Sequence, residues 1–132
     1  MGKLAERLSD PRRSGVYRVE STHAVAEAAS LNGFSLSRIA LRGVAGDALG
    51  RLAAEALGAR HDGCVLVFSD FESLARSAPG AWQAFVAQLA AAATARREAG
   101  VRFFAAFLDP SAMLALAPLY NWQRSRSLPE GP

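Results

Sequence analysis

The 132-residue chain has a single cysteine, Cys64, and a single lysine, Lys3. One cysteine excludes an internal disulfide, and a chain without a disulfide framework is expected in a reducing compartment. Cys64 sits inside an apolar run and reads as a small buried hydrophobe rather than a nucleophile. Histidine is almost as scarce. His23 has no second ligand three or four positions away, and His61 beside Asp62 has no nucleophile to activate. No stretch approaches the roughly 20 apolar residues of a membrane span, and the N-terminus carries no apolar core of signal-peptide length, so a soluble, cytoplasmic protein is expected. No Gly-rich loop with Gly-Lys-Ser/Thr is present, which removes the phosphate-loop nucleotidases even though an apolar strand ends in Asp70. No cofactor and no metal are expected.

Charged residues make up 20% of the chain, below the roughly 25% usual for soluble domains. The net charge is +3, with 14 of the 15 basic residues arginine. A balance this mild permits an acidic partner without requiring nucleic acid. Hydrophobic residues reach 51%, enough for a core, and the abundance of alanine suggests close packing rather than bulk.

The centre of the chain is Gly63-Cys64-Val65-Leu66-Val67-Phe68-Ser69-Asp70-Phe71. Its apolar run is too short for a helix and suits a strand covered on both faces. Val16-Tyr17-Arg18-Val19, Phe34 to Leu41 and Val101 to Leu108 read as further strands. Between them, Ala24 to Leu31 forms a helix capped by Ser21 or Thr22 and ended by Asn32-Gly33. A second helix covers 47 to 58, with Asp47 at its positive end. Ser69-Asp70-Phe71-Glu72 has capping-box spacing ahead of a short helix. Pro79-Gly80 opens the longest helix, whose core stripe is Trp82, Phe85, Val86, Leu89, Ala92 and Ala93, and Gly100 stops it. Asp109-Pro110 suggests one more short helix. Strands alternating with helices give an α/β fold: a small, mostly parallel sheet of three to four strands covered by helices. The expected organisation is a flexible N-terminal arm over 1–15, one α/β domain over 16–118 and a C-terminal tail over 119–132.

Several stretches resemble the barstar-like family of small bacterial intracellular proteins typified by a ribonuclease inhibitor. They are Ser14-Gly15-Val16-Tyr17-Arg18, Phe34 to Gly43 with Asp47 to Leu57, Val65 to Phe68 with Phe71-Glu72-Ser73-Leu74, and Trp82 to Phe104. The resemblance spans residues 14 to 108 and implies a barstar-like fold and a non-enzymatic inhibitor or antitoxin. It departs where the family carries its inhibitory loop and helix with their acidic residues. Here Leu57 is followed at once by Gly58-Ala59-Arg60-His61-Asp62-Gly63, and the position of the family's late acidic residue falls at Ala95. Gly46-Asp47-Ala48-Leu49 is a local echo of the missing segment.

The expected function is therefore that of a protein-binding module with an altered partner, a ribonuclease, toxin or assembly partner. The alternative is a structural subunit that uses the fold as a docking block. Candidate partner-binding residues are Asp47, Tyr120, Trp122, Arg124 and Arg126, with aromatics and arginine being the types interfaces favour. An equal reading folds Tyr120 and Trp122 back on the domain's own core. RNA binding through Arg12, Arg13, Arg124 and Arg126 is a weaker reading, because the basic residues are not interleaved with aromatics. An enzyme is not expected. By analogy with other α/β folds, Asp62, Asp70 and Asp109 are candidates for gathering near strand ends.

Overall fold

A computed structural model describes residues 2–58 and 62–119. The elements run α1 (Gly2–Ser9), β1 (Gly15–Val19), α2 (Thr22–Leu31), β2 (Ser35–Ala40), α3 (Leu49–Leu57), β3 (Cys64–Ser69), α4 (Glu72–Ser77), α5 (Pro79–Glu98) and β4 (Phe103–Leu108). The four strands form one sheet in the order β1-β4-β3-β2, every pair parallel. Leu36, Val65 and Phe104 share one row across it, and Ile39, Phe68 and Phe107 another.

Parallel strands need cover on both faces, and the alternation of side chains supplies two cores. Cys64, Leu66, Phe68, Phe103, Ala105 and Phe107 face α3, α4 and α5. Val65, Val67, Phe104, Ala106 and Val19 face α1 and α2. The α5 side is built on aromatics rather than on alanine, contrary to the composition. Phe107 meets Phe68 at 5.1 Å and Trp82 at 5.3 Å, while Phe71 stacks on Trp82 at 5.5 Å. Alanine matters instead on the sheet itself, where Ala105 lies on the same face as these rings and leaves them room.

Four local expectations are corrected. Residues 2–9 do not fray: they form α1, whose Leu4 and Leu8 are buried against the α2 side of the sheet. The Asn32 side chain ties the two helices, donating to the Ala5 and Ala28 carbonyls at 3.0 Å each. The capping box before α4 does not close. Asp70 takes a left-handed φ of 59°, the Ser69 hydroxyl turns to its carboxylate, and no side chain caps the helix. Among the described residues no helix follows Asp109. Its carboxylate accepts from the Met113 and Leu114 amides at 2.9 and 2.8 Å and closes a turn instead. The domain also runs past Pro118. Residues 117–119 run alongside β1, with Arg18 N–H donating to Ala117 O and Leu119 N–H to Arg18 O, and Leu119 is fully buried.

Candidate functional site

The two ends of the parallel sheet carry opposite charge, and the helices explain why. Each of α2, α3 and α4 begins just past the carboxyl end of a strand. The positive ends of their dipoles face that rim, where acidic side chains are favoured. Glu20, Asp47, Asp70 and Glu72 stand there, offset by Arg18, Arg42 and Arg76. Asp47 occupies a single 3-10 turn, Gly46–Ala48, and is exposed. That turn is pressed on the α4–α5 corner: a Cβ on Gly46 would lie 2.8 Å from the Ala78 Cβ. Arg42 reaches Asp70 at 3.4 Å, but its side chain is 82% exposed, so the pair contributes at most about 1 kcal/mol.

Asp109, the most buried acid of this rim, is spent on structure. Its amide donates to Val19 O, its carbonyl accepts from the Arg18 guanidinium, and both carboxylate oxygens cap the following turn. Asp62 lies at the opposite rim. It precedes β3, whereas Asp70 follows it, and six strand residues separate them by about 20 Å. The three carboxylates named as a possible gathering are therefore not one site.

The amino-terminal rim is rich in arginine. Arg7, Arg12, Arg13, Arg96, Arg97 and Arg102 stand near it, with Glu6, Asp10, Asp62 and Glu98. Asp62 accepts from Arg102 through both oxygens, from Nε at 3.1 and 3.0 Å, and from the Arg102 amide at 2.7 Å. The Arg102 guanidinium also lies 4.8 Å over the Phe34 ring. Arg96 donates to Leu57 O at 2.9 Å and lies 4.7 Å over Phe103, so it ties the end of α5 to the end of α3. Asp10 holds Arg12 at 3.1 Å, and hydrogen bonds from Arg12 keep its carboxyl below the ordinary range.

Ser14 is fully buried at this rim. Its hydroxyl donates to Val101 O at 2.7 Å and accepts from the Phe103 amide at 3.0 Å, locking the starts of β1 and β4 together. No pattern marks such a residue, because its partners lie 87 and 89 positions away.

Cys64 is buried in the α5-side core, and burial pushes its thiol above the ordinary value. His23 is exposed in the first turn of α2. Of the sequence-derived partner residues, only Asp47 is described, and Tyr120, Trp122, Arg124 and Arg126 lie outside the described residues, as does His61. Among the described residues no group of three or more His, Cys, Asp or Glu side chains is placed to hold a metal ion. No helix among them is long and apolar enough to cross a membrane.

No family model, no curated protein and no solved structure matches the chain.

Proposed function

We propose that the chain is a non-enzymatic protein-binding module of barstar-like type whose partner differs from a basic ribonuclease. The carrying observation is the arginine-rich rim at the α3–β3 junction and the end of α5. The resemblance puts the family's acidic docking residues in this part of the chain. Here Arg96 and Arg102 stand around the shortened connection, and Ala95 replaces the late acid. A basic ribonuclease would meet like charge at this surface, which costs affinity and association rate. An acidic partner would be steered toward it.

The layout supports the same reading. β2, β3 and β4 are neighbours in the sheet, with α3, α4 and α5 packed on one face. The two buried polar residues among those described, Ser14 and Asp109, both spend their side chains on backbone groups. The surface, and not the interior, is then what the chain offers.

The test is a titration of the full chain against the protein that co-purifies with it from its own cells. A saturable complex of fixed stoichiometry, weakened as salt rises, is expected. Turnover of a substrate by the purified chain, or a complex indifferent to salt, would refute the proposal.

A further inference from the structure

The arginines of the amino-terminal rim divide by what holds them. Arg12 is engaged by Asp10, Arg102 by Asp62, and Arg96 by the Leu57 carbonyl and the Phe103 ring. Arg7, Arg13 and Arg97 make no ion pair among the described residues. They come from three different elements: the last turn of α1, the 3-10 turn Pro11–Arg13 and the last turn of α5.

Backbone hydrogen bonds bring these elements together around Tyr17: the Asp10 amide donates to Arg7 O at 3.3 Å, joining the end of α1 to the 3-10 turn. Its hydroxyl donates to Arg13 O, while Arg97 donates to the next carbonyl, Ser14 O, at 3.3 Å. The Tyr17 ring is stacked on Phe104 and lies back over Gly15, where a Cβ would stand 3.2 Å from it. Burial pushes the Tyr17 phenol above its ordinary value, and Arg7, Arg13 and Arg97 all act in the opposite direction.

Of the adjacent acids in sequence, Glu6 and Glu98 are exposed and form no ion pair with the three, and Asp10 is taken up by Arg12. Like charges gathered around one point repel, and an incoming anion relieves that repulsion. Guanidinium groups match carboxylates as paired forks, with two parallel hydrogen bonds each. We propose that Arg7, Arg13 and Arg97, carried by the three elements that meet at Tyr17, are the docking site for an acidic segment of a protein partner. This deepens the proposed function and rests on it.

Nucleic acid fits less well. Single strands are gripped by open aromatic faces along a basic track. Here the Tyr17 ring is packed on Phe104 and the Phe34 ring lies beneath Arg102, so neither offers an open face.

The probe is a fluorescein-labelled peptide of ten alternating Glu and Asp residues, read by anisotropy with the full chain at low and moderate salt. Its Gln/Asn counterpart and a ten-nucleotide single-stranded RNA are the comparisons. The acidic peptide alone is expected to bind, with affinity falling as salt rises. Arg7→Gln with Arg13→Gln should weaken it at least tenfold. Arg42→Gln with Arg76→Gln removes the same net charge at the opposite rim and should change it less than twofold. Arg7 and Arg13 donate no structural hydrogen bond through their side chains, and unchanged thermal melting verifies the fold. Equal losses from both pairs, tighter binding of the RNA, or no peptide binding would overturn the site. If the co-purifying protein binds the Arg7/Arg13 variant at full strength, the triad fails while the protein-binding reading stands.

Discussion

Cys64 and Tyr17 carry the same message at the scale of single residues: each is an acid whose neutral form the fold prefers. Burial is the leading cause for both, opposed at Cys64 by Ser35 and Arg96 and at Tyr17 by three arginines. A raised folded value means that the native state holds its proton at a pH where the unfolded chain has released it. The associated stability is intact below the unfolded value and is lost as pH rises through the folded one. Urea unfolding is therefore expected to show falling stability from about pH 8 to about pH 11, the range in which thiols and phenols ionise. Cys64→Ala should flatten the first part of that fall, whatever it costs at neutral pH. A variant with the same slope as the parent would mean that the thiol ionises freely in the fold. The sequence made the burial of Cys64 legible, since an apolar run surrounds it. It left Ser14 and Asp109 illegible, because a buried hydroxyl and a buried carboxylate are defined by partners that only folding supplies.

Among the elements, the strands and long helices were the most legible. Core-facing residues recur with the period of the element, and Gly33 and Gly100 end α2 and α5 at φ values of 69° and 76°. What misled was short and local. Asp-Pro and Ser-x-x-Glu are helix-start patterns, yet Asp109 closes an isolated turn and Ser69 bonds to Asp70. The first eight helical residues read as an arm because Leu4 and Leu8 alone are a weak stripe. Their burial depends on meeting the sheet beside α2. The end of the domain is the matching case. Leu119 follows a proline and a polar tail begins soon after, yet its amide pairs with β1 and its side chain is in the core. Leu119→Ala is expected to cost about 2–5 kcal/mol in chemical denaturation, as buried leucines do. A chain ending at Leu119 should be more stable than one ending at Pro118. Equal stability of the two truncations would show that the rung beside β1 contributes nothing.

For the whole molecule, the polarity of the rims follows from the topology. A sheet of parallel strands points its connecting helices the same way, so acids gather where those helices start and arginines where α5 ends. The same dipole logic that stabilises the helices leaves one end of the sheet basic. That end is where the resemblance would put a docking face. Of the candidate protein-partner residues only Asp47 lies in the described residues, and it sits on the opposite, acidic rim, whereas Arg12 and Arg13, read from the sequence as candidates for RNA, lie on the basic one. Charge signs were readable from the sequence. Their placement on one rim was not, because Arg7, Arg13 and Arg97 belong to three separate elements that meet only in the fold.

The most direct measurement is hydrogen–deuterium exchange on the full chain, alone and in complex with the protein that co-purifies with it. Slower exchange is expected at residues 7–17 and 96–102, with the 42–47 and 70–73 loops unchanged. Protection confined to the 42–47 and 70–73 loops, or no protection anywhere in a stable complex, would contradict a basic docking rim.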